Sequence, residues 1–193
     1  MKVSIKMALI ATATLFAFGN ISAQKMAVKT DMTVTVGGEA MYPMKNIVQN
    51  AVNSKAHTTL VAAVKAADLV DVLQSAGPFT VFAPVNDAFE NLPAGTVESL
   101  LKTENKATLQ KVLTYHVVKG KYDFDALGTL IKKGKGSAKL STVSGGTLTV
   151  MMNGKHNISI KDENGGMANI TTYDVYQSNG VIHSIDAVVL PKM

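Results

Sequence analysis

The stretch GPFTVFAPVNDAF, residues 77–89, combines a strand signal, a turn signal and a helix-start signal. Apolar side chains alternate with others over 79–83, which predicts a β-strand that ends at the corner made by Pro84. Asn86 or Asp87 can accept backbone N–H bonds there and cap the short helix that follows. The sequence supplies no partnered nucleophile or acid for Asp87, so we interpret the stretch as framework rather than as a catalytic site.

The segment before this strand, HTTLVAAVKAADLVDVLQSAG, predicts two helices rather than one. Its apolar residues over 60–64 point one way, whereas those over 69–73 centre on nearly the opposite side of a helix. One straight helix cannot bury both groups against one surface. We therefore expect a helix capped by Thr58 or Thr59, a break near residues 67–68, and a second short helix that ends before the strand.

Two further helices are predicted after the strand. In LPAGTVESLL, Thr96 is the expected N-cap of a short helix. In NKATLQKVLTYH, apolar residues recur at helical spacing from Leu109 to His116, with Asn105 as the expected cap. All these helices are short, so they need a surface to pack against.

That surface is predicted from 115–190, where the apolar period becomes two. The segments TLTVMM, HNISI, ANITTYDVY and VIHSIDAVVL are separated by turn signals such as Asn179-Gly180, where we expect Gly180 to adopt a positive φ. Earlier in the chain, MTVTV before Gly37-Gly38 indicates one more short strand. The fold class is therefore α+β, with short helices on antiparallel strands around one core.

The first residues indicate export. Lys2 and Lys6 precede an apolar run over 7–18, and Ala23 is a suitable small residue for cleavage. We interpret residues 1–23 as a signal peptide, 24–40 as an N-terminal extension and 41–192 as a single domain. The protein should then be exported to the periplasm, the outer surface or the medium, with no membrane insertion after signal removal.

The absence of cysteine and of arginine from the 193 residues restricts the possible functions. There is no cysteine, which excludes disulfides and thiolate chemistry. All 19 basic residues are lysine, and without arginine a nucleic-acid partner is not expected. The sequence has one lysine cluster, which we interpret as a solvated loop rather than an anion-binding patch: Lys132, Lys133, Lys135 and Lys139.

The histidines show no metal-ligand spacing, and we expect no metal, no cofactor and no catalytic residue. On the last strand, His183 shares a face with Val181 and Ile185, whereas Ser184 and Asp186 face the other way, which argues against a triad. We therefore expect His116 and His183 to be hydrogen-bonded core or boundary residues.

Three motifs together resemble the fasciclin domain family. GPFTVFAPVNDAF, LTYHVV and NGVIHSIDAVVLP occur in the family's order and spacing, and the resemblance covers roughly residues 41–191. It implies a wedge-shaped β-sandwich with short flanking α-helices, usually extracellular and associated with adhesion. It also implies that the Tyr-His segment, Tyr115 and His116, is a candidate partner-binding site. The other motif positions, Pro84, Asn86, Asp87, Asn179, Gly180, His183 and Asp186, are expected to be structural.

These observations favour a non-enzymatic binding module in surface adhesion, in contact with an extracellular or envelope protein or glycan, and able to form a homo-oligomer. The alternative is a periplasmic small-ligand or polysaccharide-binding protein. A hydrolase would need a cleft that joins two of Asp87, His116, His183 and Ser184. A continuous apolar pocket with polar groups would favour the ligand carrier, and a flat exposed patch would favour adhesion. The apolar segment VTVGGEAMYPM is expected either to mediate self-association or to pack back on its own domain.

Overall fold

The computed structural model describes residues 32–192. The signal peptide expected over 1–23 lies outside these residues, as does the start of the expected N-terminal extension. A short antiparallel hairpin, β1 (Val34–Val36) and β2 (Glu39–Met41), comes first. It crosses the expected domain boundary at Met41, and Val36 is buried in the same core cluster as Met41. The packed domain therefore reaches back at least to β1.

A seven-stranded sheet forms the centre of the described domain. Its strands are β3 (Phe79–Pro84), β4 (Val117–Lys119), β5 (Ser137–Ser141), β6 (Thr147–Asn153), β7 (Asn157–Lys161), β8 (Met167–Gln177) and β9 (Gly180–Ile185). They lie side by side in the order β4-β3-β9-β8-β7-β6-β5. A single bridge between Val118 and Thr142 joins the ends of the two edge strands, so the sheet curls nearly into a barrel. The predicted α+β class with a sandwich-like sheet is confirmed.

The pairing of β3 with β9 corrects the prediction of a purely antiparallel sheet. The two strands pair in parallel, with Phe79 opposite Gly180 and Pro84 opposite Ile185. Parallel strands need a long crossover, and here the whole chain between Pro84 and Gly180 supplies it. Because no hairpin turn joins β3 to β9, their relative direction has no local sequence signal.

Within residues 32–192, seven α-helices pack around the sheet: α1 (Ile47–Ala51), α2 (Thr58–Ala66), α3 (Val70–Gln74), α4 (Asn86–Glu90), α5 (Thr96–Leu100), α6 (Lys106–Tyr115) and α7 (Phe124–Lys133). The predicted break between α2 and α3 is confirmed, and Asp68 lies in it with a φ of 55°. Thr96 and Asn105 lie at the starts of α5 and α6, although neither side chain caps its helix.

The lysine cluster belongs mainly to regular structure, so the loop interpretation was wrong. Lys132 and Lys133 form the last turn of α7, and Lys139 lies on β5. Asp123 caps α7 by accepting a hydrogen bond from the Ala126 amide at 3.0 Å. Lysines at a helix C-terminus interact favourably with the helix dipole.

Two hydrophobic clusters lie on opposite faces of β3 and β9. Val81 and Ala83 of β3 face the cluster formed with α1, α2, α3 and α6, whereas Phe82 faces the cluster formed with α7 and β5–β8. On β9, Ile182 and Ile185 divide in the same way. Strands buried on both faces cannot show a clean polar–apolar alternation, which explains the continuous apolar character of both motifs.

The expected positive φ at Gly180 was also wrong. Gly180 lies in β9, and it is not one of the glycines that adopt a positive φ in the described residues. It must be glycine for a different reason: a Cβ there would lie 2.1 Å from the Phe79 carbonyl oxygen of the parallel neighbour. Close approach of two backbones, rather than turn geometry, requires the glycine.

Candidate functional site

The expected partner-binding residues, Tyr115 and His116, are both buried. Tyr115 is 0% exposed, and its hydroxyl donates to the Thr147 carbonyl at 2.8 Å and accepts from the Glu163 amide at 3.1 Å. Burial raises the pKa of Tyr115 to about 12. Neither side chain is at the surface for direct contact with a partner, because the C-terminal turn of α6 directs both inward.

His116 is held at both ring nitrogens. Nδ1 donates to the Val112 carbonyl at 2.8 Å, and Nε2 accepts from the Val189 amide at 3.2 Å. Burial lowers the pKa of His116 to about 4, against opposing effects of the Val112 carbonyl and of Asp162. A neutral imidazole that joins α6 to the C-terminal segment has no free nitrogen for proton transfer.

His183 is similarly committed to the fold. Its Nε2 donates to the Tyr122 carbonyl at 2.8 Å, and its Nδ1 accepts from the Asp174 amide at 3.3 Å. Burial lowers the pKa of His183, and the Tyr122 carbonyl and Asp174 oppose this effect. The ring also stacks on Phe82 with centroids 5.8 Å apart. His116 and His183 are thus hydrogen-bonded core residues, as the sequence predicts.

Asn86 caps a helix, but not the helix that the sequence indicates. Helix α4 begins at Asn86 itself, and its N-cap, Val85, makes no side-chain capping bond. The Asn86 Oδ1 instead accepts from the Thr59 amide at 3.1 Å and from the Thr58 hydroxyl at 3.2 Å, at the start of α2. Its Nδ2 donates to the Lys55 carbonyl at 2.9 Å. Asn86 therefore joins the end of β3 to α2, whereas Asp87 is exposed.

Asn179 has a similar connecting role at the opposite end of β3, beside Phe79. Its Oδ1 accepts from the Ile47 amide at 3.0 Å, and its Nδ2 donates to the carbonyls of Leu73 and Ser75 at 2.8 Å each. The side chain thus positions α1 and the end of α3 against the start of β9. Its neighbour in the motif, Gly180, allows the close β3–β9 approach described above.

Asp186 holds the end of β9 against β8. Its two carboxylate oxygens accept from the Asn169 amide at 2.7 Å and from Asn169 Nδ2 at 2.9 Å. Its neighbour Ser184 is 1% exposed, and its hydroxyl has no partner among the described residues. Both ring nitrogens of His116 and of His183 are engaged in hydrogen bonds with backbone groups. The residues that a hydrolase would need therefore form no nucleophile–base pair.

The structure reveals an apolar cavity that we did not identify from the sequence. Its volume is about 110 Å³, and it lies between α1, α2, α3 and the central strands. Val52 and Val72, each 47% exposed, line it and mark its mouth. The only sequence signal is the change of apolar phase after residue 66, because α2 and α3 diverge there and form two walls.

His57 is the unusual polar residue in the cavity wall. Its Nδ1 lies 2.9 Å from Ser54 Oγ, and Ser54 Oγ also donates to the Val36 carbonyl at 3.3 Å. Its Nε2 has no hydrogen-bond partner within residues 32–192. Burial lowers the pKa of His57, and the Ala83 backbone carbonyl beside the ring opposes this effect.

Across 32–192, no three histidine, aspartate or glutamate side chains come together as a metal site. Over the same range, no helix has the length and apolar character needed to cross a membrane.

The fold and its buried polar residues define a compact α+β module in which the motif residues serve as framework. The family profile described as the fasciclin domain matches residues 55–191, and the chain belongs to the fasciclin domain family.

Among its relatives, the protein sll1483 of Synechocystis is 46% identical over 165 residues, covering 85% of this chain and 83% of that protein. The immunogenic protein MPB70 of Mycobacterium bovis is 37% identical over 147 residues, covering 73% and 66%. A solved FAS1 domain pair from the insect cell adhesion molecule Fasciclin I matches with a TM-score of 0.67 at 20% identity, covering 77% of this chain and 51% of that one. This last similarity confirms the fold.

Proposed function

We propose that this chain is an exported, non-enzymatic module that binds a protein or glycan partner in surface adhesion. Membership of the fasciclin family and the adhesion role of insect Fasciclin I support this proposal. So does the use of the motif histidines, asparagines and aspartate as framework.

The observation that carries the proposal is a set of exposed apolar side chains around α1 and α3. Met44 is 73% exposed and Tyr42 is 48% exposed just before α1, and Val52 and Val72 follow at 47% each. Exposed apolar groups of this kind are typical of surfaces that contact a partner. Because Tyr115 and His116 are buried, we place the contact here rather than at the Tyr-His segment.

The test measures how much of the purified protein is retained on cells of the source organism that do not produce this protein. The double variant Val52→Ser/Val72→Ser should reduce retention on those cells at least about tenfold, because a lost apolar contact of about 1.4 kcal/mol changes affinity by that factor. The matched control is Met152→Ser/Met167→Ser, which removes two exposed apolar residues from β6 and β8. Equal retention of both double variants would contradict the proposal.

The same surface is where we propose that self-association would occur. Tyr42 and Met44 lie in the apolar segment that the sequence indicates, whereas Val36 and Met41 of that segment pack into the domain core. Replacing Tyr42 and Met44 with serine should therefore reduce any dimer seen by light scattering without loss of folding. An unchanged dimer mass would contradict this placement.

A small-ligand-binding function is the second candidate. The apolar cavity between α1, α2 and α3 is the specific observation that favours it. Saturable binding of a small molecule to the isolated protein would support this function, whether or not the protein also binds cells.

A further inference from the structure

The segment 126–161 concentrates positive charge in one part of the fold. It contains six lysines, whereas all 14 acidic residues of the chain lie outside it. The segment forms most of α7 and the adjacent strands β5, β6 and β7. Lysines that share one face of these strands can therefore form a surface with a net positive charge.

The strand register places two of these lysines on one face of the sheet. Lys139 of β5 pairs with Thr149 of β6, and Thr149 pairs in turn with Lys161 of β7. Paired residues point to the same face, and both lysines are exposed, whereas their neighbours Leu140 and Ile160 are buried on the other face. We call Lys139, Thr149 and Lys161 the basic row. Its two lysines lie on the order of 10 Å apart at the backbone, because adjacent strands are about 4.8 Å apart.

Protection of the sheet edge accounts for only one of the two lysines. Lysine on an edge strand discourages pairing with another sheet, which explains Lys139 because β5 lies at the edge. The same reason does not apply to Lys161, because β7 has a strand on either side and lysine is uncommon in strands. Lys161 therefore indicates a role of the face itself.

The basic row is not neutralised by neighbouring carboxylates. Neither lysine forms an ion pair with another residue of 32–192. Asp162 and Glu163 follow Lys161 in the chain, but their carboxylates accept hydrogen bonds from backbone amides. Asp186, at the end of β9, is held by β8 in the same way. Two like charges on one face repel each other, and an anion bound between them relieves that repulsion.

We infer that the face carrying the basic row binds an acidic polysaccharide, with Lys139 and Lys161 in contact with its anionic groups. The same face presents the hydroxyl groups of Ser137, Ser141 and Thr149, which can exchange hydrogen bonds with sugar hydroxyls. This surface is separate from the apolar side chains around α1 and α3. The inference therefore goes beyond the proposed function and does not rest on it.

The composition of the three strands argues against other anionic partners. They contain no aromatic residue that could stack on nucleic-acid bases. On the face of the basic row, Met151 is the one apolar residue of these strands, which is too little for an apolar surface in a lipid interface. Lysine is a compact point charge on a flexible stem, and it suits carboxylates spaced along a flexible polymer.

The experiment measures binding of the purified protein to immobilised alginate, a carboxylate-bearing polysaccharide, and to neutral dextran. We expect saturable binding to alginate only at about 0.05 M sodium chloride, and strong weakening at about 0.5 M, because salt screens charge contacts. Lys139→Gln/Lys161→Gln should weaken binding at least about tenfold, because each lysine close to an anionic surface contributes to the affinity. The matched control Lys65→Gln/Lys102→Gln removes the same charge from exposed positions outside this face and should change the affinity less than about threefold.

Two further variants and one further probe separate this contact from other causes. Lys139→Arg/Lys161→Arg keeps the charge and should bind within about threefold of the unchanged protein. Val52→Ser/Val72→Ser, which removes the apolar contact of the proposed function, should leave alginate binding unchanged. Vesicles that contain phosphatidylglycerol should bind more weakly than alginate. No binding to alginate, equal losses for the two glutamine pairs, equal binding to dextran, or tighter binding to the vesicles would overturn the inference.

Discussion

Replacing Gly180 with alanine should destabilise the protein strongly, because the backbone of Phe79 occupies the position of the new Cβ. That atom would lie 2.1 Å from the Phe79 carbonyl oxygen and 3.0 Å from its carbonyl carbon. Both belong to the backbone of β3, which pairs with β9 in parallel, so neither can rotate away as a side chain would. Either β3 or β9 must therefore move to accommodate the new Cβ.

The magnitude follows from the distance. Separating these atoms to ordinary contact requires a displacement of roughly 1 Å, in a core that is packed as densely as an organic crystal. Overpacking typically costs about 1–3 kcal/mol, and a clash between two backbones lies at or above the upper end of that range. We therefore expect a loss of about 3 kcal/mol or more, which for a domain of this size lowers Tm by about 6–12 °C.

The matched control is Gly154→Ala. Gly154 has a φ of +77°, and a Cβ there would meet no atom within 4 Å. Only the left-handed conformation opposes alanine, at a cost of about 1–2 kcal/mol. Thermal and urea unfolding followed by circular dichroism give both losses. A loss at Gly180 no larger than that at Gly154 would refute the argument from close approach.

Three further predictions concern the motif side chains. Asn86→Ala should lower the free energy of unfolding in urea by about 1–2 kcal/mol, because the cap of α2 is lost. The control Asp87→Ala, at an exposed position, should change the free energy of unfolding by less than about 0.5 kcal/mol. Equal effects of the two variants would contradict the capping assignment. Tyr115→Phe should cost about 1–3 kcal/mol in the same assay, because it leaves buried backbone groups unpaired, and a loss of cell binding by the folded variant would contradict its structural role. Acidification should lower stability through His116, whose pKa of about 4 in the folded protein compares with 6.5 for a free histidine.

The sign of the His116 effect follows from proton binding. Between pH 6.5 and pH 4 the unfolded state binds a proton at this histidine and the folded state does not, so stability is full above pH 6.5 and falls toward pH 4. The total loss from this group is about 3 kcal/mol. The variant His116→Gln should show a shallower pH dependence of unfolding, and an unchanged slope would contradict the burial argument. Burial also lowers the pKa values of His57 and His183, so these two histidines contribute to the slope with the same sign.

Helix α7 shows that some of the missed structure had a sequence signal. Asp123 is a good N-cap residue, and Leu127 and Ile131 are spaced by four and are buried. The solvated-loop interpretation of the lysine cluster gave too little weight to this pattern. The lysines at its end fit a helix C-terminus as well as they fit a loop.

The amino-acid sequence by itself determined the features that depend on neighbours in the chain. The break after α2 follows from the change of apolar phase, the strands β6–β9 follow from the period of two, and the motif order indicated the family. Helix and strand periodicities are local, because backbone geometry repeats over a few residues. The sequence also predicted that His183 is a hydrogen-bonded core or boundary residue, because the strand period separates it from Ser184 and Asp186.

The tertiary structure alone decided which groups the motif side chains contact. Asn86 caps α2, whose first residues lie 27 or 28 positions earlier in the chain, rather than the helix that begins beside it. Gly180 is required by Phe79, which lies about one hundred residues earlier. The cavity beside His57 exists because α2 and α3 diverge over the central strands. A hydrogen bond or a steric contact depends on distance in space, and a cavity depends on how several elements pack, so neither has a fixed spacing in the sequence.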